Sequence, residues 1–269
     1  MAQKPIILAL ETSSRVGSVA LGIGEKMLAE TTFSEPLKHS AEIFPSISEL
    51  IGRFGYKPNQ IKHVYISIGP GSFTGLRIAT TMAKMMYLAN NVKVVTVNTL
   101  DVIAANIIEA PHESITVNHD IKSAEMNCQQ KEKELMPIDS INRIAAILDA
   151  KRGHFFIAIY ECNQNKKLKS IPTKKWEKVL TDSVMSPEQF LNKYVTGRKS
   201  TWLLGDGLVY YKERFRTEGV IFLDQRYWSP KASVVYQLGR QKAQQALFTD
   251  PVSMTPLYLL RPDIKIKAL

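Results

Sequence analysis

One stretch constrains this 269-residue chain more than any other: Ile66-Ser67-Ile68-Gly69-Pro70-Gly71-Ser72-Phe73-Thr74-Gly75-Leu76-Arg77. Val64, Ile66 and Ile68 are spaced for a buried strand, Gly69, Gly71 and Gly75 flank a short polar loop, and a helix runs from 75 to about 90. Such a joint can aim backbone N–H groups at one point, at the positive end of the following helix, which suits an anion or the backbone of a partner. Two phosphate loops serve as tests. Gly75 is followed by Leu76 and Arg77 where a Walker A loop needs Lys and then Ser or Thr, and Thr74 stands where the dinucleotide fingerprint needs its third glycine. Both matches fail. The loop therefore reads as a rigid strand-to-helix joint, with Pro70 fixing one dihedral, that aims the 75–90 helix at a partner.

The rest of the chain reads as layers around that joint. Ile6–Glu11 is apolar, Thr12-Ser13-Ser14-Arg15 is a polar turn, and Gly17–Gly24 alternates into a second strand, with Met27–Phe33 as a third. Ile43, Phe44, Ile47, Leu50 and Ile51 recur at helical spacing behind an N-cap at Ser40. After the joint, Val92–Val97 reads as a strand and Thr99–Ile108 as a helix. Residues 118–137 are polar and poorly periodic and read as a mobile excursion. Ile144–Leu148, the turn Asp149–Gly153 and the strand His154–Tyr160 then repeat the opening plan of strand, polar turn, strand. Trp202–Leu204 leads into Gly205-Asp206-Gly207 and a helix, Ser233–Leu247 is a further helix, and Pro256–Leu260 a closing strand-like run. Hairpins followed by alternating helices and strands indicate an α/β or α+β layer fold.

Charge is uneven. Residues 1–110 carry ten Lys/Arg against eight Asp/Glu, whereas 111–269 carry 25 against 17, so most of the net charge of +10 belongs to the second half. Its densest part is Lys166, Lys167, Lys169, Lys174, Lys175 and Lys178 around Trp176; without an RNA-binding motif beside it, this reads first as a solvated loop and second as a track for a phosphate backbone. No run approaches eighteen apolar residues, so no membrane span is indicated. The start of the chain reads as a first strand rather than a signal peptide. Cys128 and Cys162 have no metal-ligand spacing and point to a reduced, cytoplasmic protein.

Several motifs, in this order, resemble one family. Ala9-Leu10-Glu11-Thr12-Ser13, Gly69–Arg77, Leu148-Asp149-Ala150-Lys151-Arg152-Gly153, Gly205-Asp206-Gly207 and Pro256-Leu257-Tyr258-Leu259 follow the pattern of the TsaB (YeaZ) family, partner subunits in tRNA threonylcarbamoyladenosine biosynthesis. The resemblance covers essentially the whole chain. It implies a two-lobed actin-like, heat-shock-ATPase-like (ASKHA) α/β fold, each lobe a mixed sheet flanked by helices. The lobes would be 1–110 and 111–269, with the last helix, about 232–248, packing back on the first. Thr12, Ser13, Asp149, Gly205 and Gly207 would then occupy nucleotide- or phosphate-like positions.

The resemblance further implies an accessory subunit rather than an enzyme. The family's catalytic relative, TsaD, carries a metal-binding histidine pair one helical turn apart. His39, His63, His112, His119 and His154 include no two residues four apart, so neither a metal site nor a catalytic residue is expected; Glu11 reads as a carboxylate capping local backbone at least as readily as a catalytic one, and Asp149 as a hairpin-end residue. Implied partners are TsaD, through the helices near 40–52 and 75–90, TsaE, and tRNA through the complex, with a homodimer as the alternative. The implied interface residues are His39, Phe44, Ile47, Arg77, Ala79, Thr80, Ala83 and Met86, and Lys166, Lys167 and Lys169 are candidate tRNA contacts. Ala79, Thr80, Ala83 and Met86 put small or soft residues at spacings of three and four, which lets another helix approach closely. No cofactor is expected, with weak ATP or ADP binding at the complex interface as the variant reading. The competing function is a nucleotide-dependent kinase or ATPase of the same fold.

Overall fold

The computed structural model describes residues 4–34, 39–108, 114–119, 132–137, 140–163, 175–195 and 200–260. The first lobe is built on β1 (Ile6–Glu11), β2 (Ser18–Ile23) and β3 (Lys26–Thr32), followed by α1 (His39–Arg53), β4 (Ile61–Gly69), α2 (Phe73–Asn90), β5 (Lys93–Asn98) and α3 (Thr99–Ile108). Its sheet order is β3-β2-β1-β4-β5, antiparallel across β1–β3 and parallel from β1 to β5. β1 reads as a near-continuous apolar run because it is central and covered on both faces.

The second lobe repeats this plan. β8 (Arg143–Lys151), β9 (His154–Asn163) and β10 (Lys175–Met185) precede α4 (Pro187–Tyr194), β11 (Thr201–Leu204), α5 (Leu208–Tyr211), β12 (Val220–Phe222) and α6 (Ala232–Gln244). Its sheet order is β10-β9-β8-β11-β12, with the same pattern of antiparallel and parallel pairs. Between the lobes, β6 (Ser114–His119) and β7 (Glu132–Pro137) pair antiparallel in a small sheet of their own. The expectation of a mobile excursion at 118–137 is corrected at 118–119 and 132–137, which are strand; residues 120–131 lie outside the described residues.

Alternation along β1 separates two cores. Leu8 and Leu10 point toward α1 and α2, whereas Ile7 and Ala9 point toward α6. α6, from the far end of the chain, thus covers the opposite face of the first sheet, with Tyr236 on Gly22 and Tyr65 against Gly239. α3 reciprocates by packing Leu100, Ile103, Ala104 and Ile107 into the second lobe's core. A polar tie reinforces this exchange. Lys178 Nζ on β10 lies 2.7 Å from Asp101 and 2.5 Å from Asp182, Tyr160 donates to Asp101 at 2.6 Å, and Asn98 donates to Asp182. The reading of Lys175–Lys178 as solvated loop is corrected accordingly, since these residues open strand β10 and Trp176 packs on the core. Lys166, Lys167, Lys169 and Lys174 lie outside the described residues.

Two further boundaries differ from expectation. α1 begins at His39, one residue before the expected cap Ser40, and α2 begins at Phe73 because Ser72 caps it, its Oγ accepting from the Gly75 N–H at 3.3 Å. Pro256–Leu260 is not a strand. A backbone hydrogen bond from the Leu257 N–H to the Ile68 carbonyl at 2.8 Å lays it over the end of β4.

Candidate functional site: the interlobe cleft and the outer helix pair

Two regions of the molecule gather the residues marked out by sequence. The first is a cleft of about 820 Å3 between the lobes, lined by the β1–β2 turn, the glycine joint, the β8–β9 turn, Asp206, Gly207, Tyr210 and the tail around Tyr258. It brings together Ser13, Asp149 and Gly207, with Thr12 and Gly205 directly behind.

The glycine joint braces the first turn from below. Thr12 Oγ1 donates to the Gly75 carbonyl at 2.7 Å, and the Ser72 N–H donates to the Ser13 carbonyl at 2.7 Å. Gly75 admits no side chain, because a Cβ there would collide with the Thr12 carbonyl oxygen. The joint's amide thus points at the chain's own backbone, which was one of the two targets its geometry allowed.

The turn donors are likewise committed to the chain's own oxygens. Glu11, wholly buried, accepts from the Ser13 N–H at 2.6 Å and from the hydroxyls of Ser13 and Ser67. Burial raises its carboxyl above the usual range, opposed by those hydrogen bonds. At the second turn, Asp149 accepts from the Lys151 N–H at 2.7 Å and from Lys151 Nζ at 2.8 Å. Gly207 N–H donates to the Ile147 carbonyl at 3.2 Å. Asp206 accepts from the Arg15 N–H at 3.4 Å. Burial pushes it up to about 6, with the nearby Asp149 adding to the rise.

These contacts bear on the nucleotide that the fold implies. Phosphates need several unanswered N–H groups converging on one point and little negative charge beside it. Here three carboxylates, Glu11, Asp149 and Asp206, take the turn amides, so the residues present do not fit a phosphate chain. Glu11 caps local backbone, one of the two readings its sequence position allowed, and Asp149 caps the hairpin turn that it ends. Asp206 was not singled out by sequence; its only signal was its position between two glycines.

The second region is the outer face of α1 and α2, which pack against each other on the side of the first sheet away from α6. Here the expected interface is redistributed. Ala79 and Ala83 are fully buried and Thr80 nearly so, because this stripe of α2 lies in the first lobe's own core with Leu8, Leu10 and Ile43. They form no outward surface. Met86 and Ile47 are half-buried against the same core. The outward stripe is Arg77, Thr81, Met85 and Leu88, with Met85 64% and Leu88 80% exposed, and on α1 Phe44 is 65% exposed. Arg77 is held within the chain: its guanidinium carbon lies 3.7 Å from the Phe73 ring centre and its Nε donates to the Tyr258 hydroxyl at 3.2 Å. Of His39 only the backbone is described. Among the described residues no group of three or more His, Cys, Asp or Glu is placed to hold a metal ion, and no helix is long and apolar enough to cross a membrane.

With this geometry in place, the chain can be set beside known proteins. A family model described as TsaD, tRNA N6-adenosine threonylcarbamoyltransferase, matches residues 27–120. The tRNA threonylcarbamoyladenosine biosynthesis protein TsaB of Haemophilus influenzae is 25% identical over 273 residues, which is 99% of this chain and 98% of that protein. The TsaB of Bacillus subtilis is 30% identical over 100 residues, 37% of this chain and 44% of that protein. The solved structure of YeaZ from Pseudomonas aeruginosa superposes with a TM-score of 0.69 at 21% identity, covering 95% of this chain and 100% of that one. The paired five-stranded sheets are those of the two-lobed ASKHA architecture. Over nearly its whole length the chain is similar to proteins named TsaB, and it shares its fold with YeaZ.

Proposed function

We propose that this protein is a non-catalytic subunit in tRNA threonylcarbamoyladenosine biosynthesis, which binds TsaD and activates its transfer of threonylcarbamoyl to adenosine in tRNA. The relatives' shared name supports the pathway. The observation that carries the role is the outward face of α1 and α2, where Phe44, Met85 and Leu88 stand exposed on two helices already packed on their own sheet. Large apolar side chains on a rigid helix pair are what a second helix pair covers, and Met adapts its shape to either of two partners. TsaD would take that face in the complex; a second copy of this chain would take it when TsaD is absent. TsaE and tRNA join through TsaD, and Lys166, Lys167 and Lys169 would add basic surface for the tRNA.

The cleft supports the non-catalytic half of the reading, because its carboxylates are spent on their own backbone amides rather than left facing a substrate. No bound nucleotide is needed for the role, and the protein would work in the cytoplasm.

A reconstituted assay tests it. Purified TsaD and TsaE with tRNA, ATP and threonylcarbamoyl donor should modify tRNA only when this chain is added. The Met85→Glu/Leu88→Glu double variant should stay folded and fail to stimulate. Stimulation equal to wild type by that variant, or modification by this chain without TsaD, would overturn the proposal.

A further inference from the structure

We propose that Asp206 is an interlobe latch, a carboxylate carried by the second lobe onto a turn donor of the first, which sets the opening of the cleft without any ligand. Its backbone is aimed from behind. Gly205 adopts φ 130°, open to glycine, and a Cβ there would strike the Ile147 carbonyl on β8; the next amide, of Gly207, bonds that same carbonyl. From this fixed mount the Asp206 side chain crosses to the β1–β2 turn and accepts from the Arg15 N–H at 3.4 Å. A second contact crosses in the opposite direction. The Arg15 guanidinium lies 4.7 Å from the ring centre of Tyr210 on α5, and Tyr210 is otherwise 69% exposed.

The charges that face Asp206 come from three elements. Glu11 at the end of β1 and Asp149 at the end of β8 repel it, and Arg15 on the turn attracts it. Lys151, Arg152 and His154 line the same cleft, with Lys151 engaged by Asp149. Taken alone, two neighbouring carboxylates disfavour the position. Asp206 stays because it answers the Arg15 N–H of the other lobe, which would otherwise lose its acceptor. An external polyanion would need that same donor, so latch and ligand exclude each other. The inference stands on the cleft alone and is independent of the partner reading.

Hydrogen exchange on the full chain, with and without excess inorganic pyrophosphate as the probe anion, tests the latch. In the wild type, pyrophosphate should leave exchange across residues 12–15 unchanged. In Asp206→Ala the Arg15 amide should exchange about tenfold faster, and pyrophosphate should restore its protection. Asp206→Asn keeps an accepting oxygen without the charge. It should therefore keep the Arg15 protection and stay insensitive to pyrophosphate, and it decides the matter should the alanine variant not fold. Unchanged Arg15 exchange in Asp206→Ala, pyrophosphate protection in the wild type, or loss of Arg15 protection in Asp206→Asn would each overturn the proposal.

Discussion

The two lobes share one topology and differ in their helices. After its third strand the first lobe places a 15-residue α1 and, after its fourth, an 18-residue α2; at the matching points the second lobe has an 8-residue α4 and a 4-residue α5. The short helices complete the second core through Phe190 and Leu208. The long ones do more than that. A stripe of each fills the first core, and what remains, Phe44, Met85 and Leu88, is left in water. The duplicated sheet thus supplies stability on both sides, while the extra helical turns of the first lobe supply a surface. On α2 the stripe that packs and the stripe that is exposed are separate.

The largest break in that comparison comes from the buried stripe. Ala83→Arg places an unpaired charge in a fully buried site against Leu8 and Ile43 and should cost about 4 kcal/mol or more, enough to unfold the first lobe in a thermal melt. Met85→Glu, two residues further on the same helix, should move stability by only about 0.5 kcal/mol. Equal stability losses in the two variants would erase the distinction between inner and outer stripes.

The cleft between the lobes gives the next largest effect. Asp206 holds its proton up to about 6 in the fold against 3.8 when exposed, so the native state binds more protons than the unfolded chain between those values. Its contribution is therefore present in full below about pH 4 and lost as pH rises through about 6, amounting to about 3 kcal/mol. Glu11, also raised, acts in the same direction. Unfolding by urea across that range should show stability falling toward neutral pH, and Asp206→Asn should flatten the slope. A steeper slope in Asp206→Asn would contradict the assignment.

The smallest effect belongs to the tie on the other side of the lobe junction. Lys178→Met leaves Asp182, with 11% of its side chain exposed, without its cation and should cost about 1–2 kcal/mol. If the tie couples the lobes, hydrogen exchange should quicken at both Asn98–Asp101 and Tyr160 in that variant. Faster exchange confined to β10 would make it a local contact.

Much of this architecture was legible in the residues. Apolar runs broken by polar turns at Thr12–Arg15 and Asp149–Gly153 gave both strand–turn–strand openings, and glycine and proline marked the joint after β4. What was not legible depended on which side of an element meets the core. α2 carries apolar side chains nearly all round, so periodicity could not tell Ala79 and Ala83, which face the sheet, from Met85 and Leu88, which face water. Small residues marked close approach correctly, but the approach is to the chain's own sheet. The second gap is tertiary. Nothing local to Asp206 says that it will reach Arg15 across 191 positions, and nothing in Pro256–Leu260 says that it will lie on β4 through a backbone hydrogen bond.

The central claim is that the outward stripe binds a partner and the inward stripe does not. Titration calorimetry of purified TsaD with the folded Met85→Glu/Leu88→Glu variant tests it most directly. The account predicts binding weakened by about 30-fold or more relative to wild type, at unchanged thermal stability. Wild-type affinity in that variant would contradict it.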